Sequence, residues 1–322
     1  MQAQEQNPLA GFLLSLIAAM MWGVLPIALK ELLLGMGATT IVWYRFLVAF
    51  AVLLTWLSVT RRLPRLAQIT LRPRLLLLIA ALGLCANYFL FSYSLNFVNA
   101  ETSEAVIQLT TLFLILGGVV VYKEPFLGIQ KLGTGLIILG LLLFFNDRMA
   151  VFVNINNTET LGVIIVVFAA VTWTLYALLQ KRLLRQFSSV QILFSIYTVS
   201  IVVLLPFIQP STLFSLEGWH LTLLAFCCLN TLVAYGSFAE ALNLWDASKV
   251  SATLALAPLF TIGTLKLIVF FSPDYEFSDR LSTLSLLGAA MLVLGSILTA
   301  LVPAIYKRRQ YDLVQRSSGL DE

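Results

Sequence analysis

The sequence predicts an all-α integral membrane protein with ten transmembrane helices, arranged as two inverted five-helix repeats. Three observations predict this class. Apolar residues make up 60% of the 322 residues and charged residues only 11%, whereas soluble domains contain about a half and a quarter. The apolar residues form long runs of membrane-spanning length. The second half of the chain also repeats the pattern of the first.

Ten apolar runs have the roughly 17–25 residues that a helix needs to cross a bilayer. They cover residues 10–30, 39–59, 74–98, 101–122, 127–145, 161–181, 188–208, 219–241, 249–271 and 282–305. The runs are far too long for barrel strands and lack period-two alternation, so helices are predicted. The short connections leave no room for a catalytic or nucleotide-binding domain. The predicted organisation is a first five-helix repeat (1–146), an extracytoplasmic linker (147–160), a second repeat (161–306) and a basic tail (307–322).

The placement of Lys and Arg predicts the orientation of the chain. With the N-terminus inside the cell, 15 of the 20 Lys and Arg residues lie in cytoplasmic pieces and 3 on the opposite side, while Arg45 and Lys266 lie within spans. Because basic loops stay in the cytoplasm, both termini are predicted to be cytoplasmic. The net charge of +4 then reflects topology and anionic lipid rather than nucleic acid. The single histidine and three cysteines show no metal-ligand spacing, so no metal or cofactor is predicted.

The two halves align in three consecutive blocks. The blocks pair residues 11–30 with 162–181, 88–113 with 235–260, and 132–140 with 287–295, at offsets of 151, 147 and 155. Trp22 thereby pairs with Trp173, and Tyr88 with Tyr235. Five spans is an odd number, so the second copy is predicted to enter the membrane in the opposite orientation. Inverted repeats place a binding site near the middle of the membrane, between the halves.

Several short motifs recur in this arrangement. They are Trp22-Gly23, Tyr44-Arg45-Phe46, residues 94–96 and 241–243, residues 257–260, and Lys123-Glu124-Pro125. With these motifs the chain resembles the drug/metabolite transporter superfamily of the EamA-repeat type over residues 10–305. The second repeat departs from the pattern, because Phe271-Ser272 stands in place of the Glu-Pro and Ile196 in place of Arg45.

The resemblance implies a ten-helix transporter of the bacterial inner membrane. Such proteins are often exporters of amino acids, other metabolites or toxic compounds. The resemblance also implies a central cavity lined by spans one to four and six to nine, with spans five and ten at the periphery.

Polar and aromatic groups within the spans are the candidate substrate-binding residues. A polar group in the membrane is costly unless it is paired, hydrated or faces a cavity. The candidates are Trp22, Arg45, Asn87, Tyr88, Glu104, Gln108, Thr111, Trp173, Tyr176, Gln180, Asn230, Tyr235 and Pro258.

Helical spacing groups some of these candidates. Glu104, Gln108 and Thr111 fall at i, i+4 and i+7 on one face, which predicts either a cavity wall or a packing face held by interhelical hydrogen bonds. Trp173, Tyr176 and Gln180 share a face in the same way. The tryptophans of the two repeats are candidates for stacking an aromatic or cationic substrate, with ordinary packing as the alternative.

The remaining candidates also have two interpretations. Arg45 is either a clamp for a carboxylate or an anchor that extends towards the interface. Pro258 frees a backbone carbonyl one turn earlier, for a ligand or for a kink. Asn87 and Asn230 either face the cavity or cross-link helices. Glu104 is the candidate proton carrier, because burial raises the pKa of a carboxyl group; near the outer mouth, however, solvation would leave it ordinary.

The sequence thus favours a secondary transporter that exports an amino acid or related amphipathic metabolite by alternating access. Its predicted partners are a small-molecule substrate, with a proton as the candidate coupling ion, and the lipid bilayer. A nucleotide-binding P-loop motif is missing from the sequence, which argues against ATP hydrolysis within this chain. The alternatives are a non-transporting membrane sensor or scaffold, and a membrane-embedded enzyme. The enzyme would need a convergent His, Asp or Ser constellation, which the spans do not offer. The oligomeric state is not predicted.

Overall fold

The computed structural model describes residues 7–64, 70–123, 126–148, 157–245, 247–279 and 281–299. The predicted basic tail, most of the predicted linker, residues 124–125 of the Lys-Glu-Pro motif and the end of the tenth predicted span lie outside these residues. Within the described ranges the regular secondary structure is helical. The all-α class predicted from the apolar runs is therefore confirmed for this part of the chain.

The helices are named in chain order for the described part of the chain. They are α1 (Pro8–Leu32), α2 (Ala38–Val59), α3 (Leu71–Ser94), α4 (Ala100–Ile107), α5 (Leu109–Tyr122), α6 (Gly128–Phe144), α7 (Thr158–Leu183), α8 (Ser189–Leu204), α9 (Gly218–Leu244), α10 (Ala247–Leu254), α11 (Ala257–Phe271) and α12 (Thr283–Thr299).

Eight helical segments are long and apolar enough to cross a membrane. Two of them are built from paired helices: α4 and α5 together cover Ala100–Tyr122, and α10 and α11 lie within one continuous stretch that includes Lys249–Phe271. The two shorter apolar helices, α6 and α12, lie where the fifth and tenth spans are predicted. Helices therefore occur at all ten predicted places, and eight of the ten meet the length of a full span.

Local sequence signals account for several helix starts. The Asn7 side chain accepts a hydrogen bond from the Ala10 N–H (3.1 Å), and Pro8 occupies the first turn of α1. Pro is favoured there because the first N–H groups of a helix lack intrahelical partners. At α8, Ser188 and Gln191 form a reciprocal capping box, which satisfies two otherwise free backbone donors.

The contacts between helices follow the internal repeat. The most extensive contacts pair α1 with α9 and α3 with α7. By the sequence offsets α1 is the repeat mate of α7, and α3 is the repeat mate of α9. Each of the two pairs therefore joins the two halves, and exchanging the halves converts one pair into the other.

Repeat mates that touch each other run in opposite directions. Near the start of α2, Thr40 accepts a hydrogen bond from the Gln209 N–H beyond the end of α8 (3.1 Å). Near the other end, the Gln191 side chain donates to the Arg62 carbonyl (2.8 Å). The α6–α12 pair is antiparallel as well, since Gly133 lies against Gly295 and Gly140 against Gly288.

The helix ends fall into two sets, each held together by its own contacts. In the first set, the Lys30 ammonium donates to the Leu95 carbonyl (2.6 Å) and the Asn146 amide donates to Ser285 (3.2 Å). In the second set, the Asn7 N–H donates to the Leu244 carbonyl (3.2 Å). The first set comprises ends predicted to lie outside the membrane, and the second comprises ends predicted to face the cytoplasm.

Candidate functional site

Arg45 on α2 is the most deeply buried basic side chain within the described spans, with 3% of its surface exposed. Its Nε donates a hydrogen bond to Thr231 Oγ1 on α9 (3.1 Å). Its guanidinium carbon lies 4.7 Å from the centroid of the Tyr88 ring on α3. Thr231 in turn donates to the Cys227 carbonyl (3.1 Å). The guanidinium is therefore held by groups from α3 and α9, and it does not extend to an interface.

The charge of Arg45 has no counter-ion in the part of the chain that the structure describes. Its contacts there are the Thr231 hydrogen bond and the cation–π contact with Tyr88, and no described acid forms an ion pair with it. A buried ion without a partner costs several kcal/mol. A cation–π contact offsets about 0.5–2 kcal/mol of such a cost. The site is therefore electropositive and suited to an anion.

The Tyr88 ring beside this charge belongs to a group of aromatic rings from both halves. The rings of Tyr88 and Tyr235 are stacked, with centroids 6.4 Å apart and planes at 24°. Trp22 meets Tyr235 edge-on at 5.3 Å. Phe46 contacts Tyr88 at 4.7 Å and Tyr197 at 5.4 Å. These five rings, here called the aromatic cluster, come from α1, α2, α3, α8 and α9.

The aromatic cluster lies where repeat mates meet. Tyr88 and Tyr235 are equivalent positions of the two repeats and touch each other, so the local symmetry axis passes between them. Arg45 has no equivalent charge, because Ile196 occupies its position in the second repeat and is fully buried. The site is therefore symmetric in its rings and asymmetric in its charge.

The rings fill the place where the central cavity is predicted. Tyr88, Tyr176 and Tyr197 are buried in one hydrophobic core, and Trp173 packs against it from the side. Such ring contacts are favourable in themselves. The centre of the bundle is consequently closed by side chains in this conformation, and a molecule could reach Arg45 only if the rings separated.

The two predicted asparagines both join helices. Asn87 donates to the Ala169 carbonyl on α7 (2.9 Å), and Asn230 donates to the Met21 carbonyl on α1 (2.5 Å). These bonds fall on the two symmetry-related pairs α3–α7 and α9–α1. Asn230 Oδ1 is buried without a hydrogen-bond partner among the described residues. The structure thus places both amides at helix contacts, one of them with an unused acceptor.

The remaining aromatic and amide candidates separate from one another. Trp22 packs on Tyr235 and Phe238, whereas Trp173 packs against the side of the core. The described ring contacts do not pair the two tryptophans. Tyr176 is buried in the same core as Tyr88, and Gln180 is only half-buried.

Glu104, Gln108 and Thr111 lie on the α4–α5 segment, apart from Arg45. Gln108 accepts a hydrogen bond from Ser296 on α12 (3.4 Å), so this part of the stripe faces the peripheral helix. Thr111 is half-buried. Glu104 is buried, with 6% exposed, and has no hydrogen-bond or ion-pair partner within the described ranges.

Two membrane segments are broken at equivalent positions. The first break is at Gln108, between α4 and α5, and the second is at residues 255–256, between α10 and α11. The offset of 147 that aligns these segments also relates the bounds of α4 to those of α10. Pro258 explains the second break, because it has no N–H for the carbonyl of Leu254. Broken helices at matching positions of two repeats are typical of binding regions in transporters.

The sequence predicts both segments as single spans, and only the Pro258 break had a visible signal. Neither Gly nor Pro lies near Gln108, so composition does not reveal the first break. The internal repeat was the sequence signal from which the first break could have been predicted. A kink at Pro258 predicts an equivalent kink one repeat earlier, near Gln108.

A polar network at the ends predicted to lie outside was not anticipated from the sequence. Glu101 accepts hydrogen bonds from the Ser278 hydroxyl (2.7 Å) and the Asp279 N–H (3.1 Å). Asp279 accepts from the Thr102 hydroxyl (2.7 Å) and the Asn99 amide (3.1 Å). This outer latch, formed by Asn99, Glu101, Thr102, Ser278 and Asp279, fastens the α11–α12 connection to the start of α4.

A polar cavity of about 440 Å³ lies beside the outer latch. It is lined by Phe97, Val98, Asn99, Asn157, Thr158, Glu159 and Asp279. Residues 97–99 precede α4, whereas Asn157, Thr158 and Glu159 lie at the start of α7 and Asp279 lies between α11 and α12. The cavity is therefore a vestibule between the halves at the ends predicted to be extracytoplasmic.

Proteins with similar sequences are named as transporters. The chain is 43% identical over 298 residues to an uncharacterized transporter of Haemophilus influenzae, covering 92% of this chain and 96% of that protein. It is 40% identical over 299 residues to the uncharacterized inner membrane transporter YhbE of Escherichia coli, covering 92% and 93%. A probable amino-acid metabolite efflux pump of E. coli is 22% identical, covering 88% and 92%.

A solved crystal structure shares the fold. The two chains match with a TM-score of 0.62 at 16% sequence identity, over 91% of this chain and 96% of the other. The sequence model of the EamA-like transporter family matches twice, at residues 9–146 and 160–301. The two matches cover both halves of the chain, in agreement with the repeat. The chain belongs to the EamA-like transporter family.

Proposed function

We propose that this protein is a secondary transporter of the bacterial inner membrane that exports an amino acid or related amphipathic metabolite by alternating access. The observation that carries the proposal is the buried charge of Arg45 beside aromatic rings of both repeats. A binding group at the contact between two halves is exposed to one side or the other when the halves move. The E. coli relatives named as an inner membrane transporter and a probable efflux pump support the location and direction.

The proposed moving units are the two repeats, residues 1–146 and 161–306, inserted in opposite orientations with both termini in the cytoplasm. The antiparallel contacts of α2 with α8 and of α6 with α12 support this arrangement. Closing of the centre by the aromatic cluster and of one end by the outer latch corresponds to an occluded stage of the cycle.

Glu104 is the proposed proton carrier that drives export. Its burial and its lack of a described partner support this role, because a carboxyl group without a fixed counter-ion can take up a proton without breaking an ion pair. Movement of a proton inward through the same protein would supply the energy for outward movement of substrate.

Transport is tested in proteoliposomes of known protein orientation. Vesicles loaded with an unlabelled panel of amino acids and amphipathic compounds are assayed for accumulation of the labelled compound by counterflow. We expect accumulation with the wild-type protein and its loss in Arg45→Gln, with retention in Lys266→Gln. Lys266 is the matched control, because it is the other basic residue within a span and is exposed. Complete lack of flux for the whole panel would support the non-transporting scaffold instead.

A further inference from the structure

We infer that the substrate is a monoanionic carboxylate with an apolar or aromatic body, bound through Arg45, rather than a zwitterion or an amine. The inference rests on the proposed function, since it names the substrate class of the same site. It selects, among amphipathic metabolites, organic acids and amino-acid derivatives whose amine is missing or acylated.

The guanidinium of Arg45 has hydrogen-bond donors that the described residues leave unused. A guanidinium has five N–H donors in a planar fork. Nε is used by Thr231, and the two terminal NH₂ groups have no hydrogen-bond partner among the described residues. A carboxylate accepts two parallel hydrogen bonds from such a fork. The unused half of the guanidinium therefore has the geometry of a carboxylate site.

Two neighbours fix the orientation of that fork. Thr231 is itself fixed, because its hydroxyl donates to the Cys227 carbonyl one turn earlier in α9 (3.1 Å). The Tyr88 ring holds the guanidinium from another direction, at 4.7 Å. A long, flexible side chain held at two points loses little further freedom on binding. The site is preorganised for an anion.

The surroundings of Arg45 do not favour a second positive charge on the substrate. The titratable side chains near the guanidinium include Tyr88, Tyr197, Cys227 and Cys228. Protonated tyrosines and cysteines are neutral near pH 7. An ammonium group bound beside Arg45 would therefore meet a like charge, and no described carboxylate forms an ion pair with the guanidinium.

The aromatic cluster favours a substrate with an apolar or aromatic body. The guanidinium lies against the ring of Tyr88, which stacks on Tyr235, and Tyr235 in turn meets Trp22. Rings that separate to admit a substrate lose their contacts with each other and regain them with an apolar or aromatic group. A small hydrophilic acid would not replace these contacts.

Three ligands that share one phenyl ring test the inference. They are 3-phenylpropanoate, which carries only a carboxylate, L-phenylalanine, which carries both charges, and 2-phenylethylamine, which carries only the ammonium. Binding to the detergent-purified full-length protein is measured by ligand-induced shift of the melting temperature and by calorimetric titration. We expect 3-phenylpropanoate to bind about tenfold or more tightly than phenylalanine, and the amine not to bind.

Variants connect the binding to Arg45. Arg45→Gln should abolish the shift with 3-phenylpropanoate, and Lys266→Gln should leave it unchanged. Arg45→Lys keeps the charge and loses the fork, so its affinity should fall by about tenfold. This second variant keeps the test decisive if Arg45→Gln does not fold.

Several results would overturn the inference. They are equal or tighter binding of phenylalanine or the amine, unchanged binding in both Arg45 variants, and lack of binding of all three ligands at millimolar concentration. Because binding is measured without transport, the two proposals fail separately. Arg45-dependent binding without any flux would refute the proposed transport alone, and flux of zwitterions that Arg45→Gln abolishes would refute the substrate class alone.

Discussion

Tyr88 and Tyr235 occupy equivalent positions of the two repeats and stack on each other, with ring centroids 6.4 Å apart. Contact between equivalent residues occurs only beside the axis that relates the halves. In the proposed transport cycle the halves would separate along the line that this pair marks. Arg45 lies against one member of the pair, so its proposed recognition of charge and the separation of the halves would involve the same ring.

The aromatic ring of Tyr235 should contribute more to the transport rate than its hydroxyl group does. Tyr235→Ala removes contacts with both Trp22 and Tyr88 and should lower the transport rate by tenfold or more, about 1.4 kcal/mol or greater. Tyr235→Phe keeps the ring and should retain most of the rate. Initial counterflow rates in proteoliposomes measure both. Phe271→Ala is the control, because Phe271 is 75% exposed and should have wild-type rates; equal rates in Tyr235→Ala and wild type would contradict the prediction.

Glu104→Gln should separate proton coupling from substrate movement. The amide cannot carry a proton, so accumulation driven by a pH gradient should be lost, whereas exchange of labelled for unlabelled substrate should persist. Both are measured in the same proteoliposomes with and without an imposed gradient. Glu217→Gln is the matched control, since Glu217 is exposed at the start of α9. Gradient-driven accumulation that survives in Glu104→Gln would rule this carboxyl group out as the carrier.

Weakening the outer latch should open the vestibule. Asn99 and Thr102 each donate to a different carboxylate oxygen of Asp279. Asp279→Asn replaces one of these oxygens with an NH₂ group that cannot accept, so one of the two hydrogen bonds is lost. Loss of a hydrogen bond to a charged group is worth about 1.5–3 kcal/mol. A cysteine at the buried Val98 should then react several-fold faster with a membrane-impermeant maleimide added from outside.

The three native cysteines are buried, so they contribute little to this labelling. Ser211→Ala lies in another connection on the same predicted side and should not change the rate of labelling at position 98. An unchanged rate in Asp279→Asn would mean that the latch does not control access to the vestibule.

Gly140 and Gly135, both on α6, should respond in opposite ways to substitution by alanine. A Cβ at Gly140 would lie 2.8 Å from the Gly288 carbonyl, whereas a Cβ at Gly135 would meet nothing within 4 Å. Gly140→Ala should therefore destabilise the protein by about 1–3 kcal/mol. Gly135→Ala should be neutral or stabilising by up to about 1 kcal/mol. Melting temperatures in one detergent compare the two, and a similar response of both would argue against close α6–α12 packing.

Both chain termini should report a cytoplasmic location. The bias of Lys and Arg towards one set of connections predicts this orientation. A reporter that fluoresces only in the cytoplasm should be active when fused after Glu322, and a phosphatase that is active only outside should be inactive there. Fusions at Asp274, which is exposed in the α11–α12 connection, should give the reverse result.

The positions of the helices could be predicted from hydropathy, because the cost of placing polar backbone in lipid leaves few alternatives. The hydrogen-bond partners of the polar side chains could not be predicted from hydropathy. Thr231 is one of many threonines in apolar runs, and only the fold brings it to Arg45, 186 positions away. The same holds for Glu101 and Ser278, which are 177 positions apart. Helical spacing grouped Glu104 with Gln108 but does not reveal that Gln108 faces Ser296.

The repeat was more informative than any single motif. It identified Tyr88 and Tyr235 as equivalent, but stacking between them follows from the three-dimensional arrangement of α3 and α9. Arg45 was open to two interpretations, and the structure places it inside the bundle, because Thr231 and Tyr88 hold its head group away from the interface. Which of the predicted residues bind substrate remains a prediction, for which the variants above are the test.

The glycine contact between α6 and α12 also constrains how the protein can move. Backbones that meet this closely, with Gly133 against the Gly295 carbonyl and Gly288 against the Gly140 carbonyl, have no side chains between them that could rearrange to let them part. The α6–α12 contact then stays fixed, and in the proposed transport cycle the two halves would move by tilting about it. Displacements during such a tilt grow with distance from that contact, so they would be smallest at the Gln108 break, which is hydrogen-bonded to Ser296 on α12, and larger at Arg45, whose partners lie on α3 and α9.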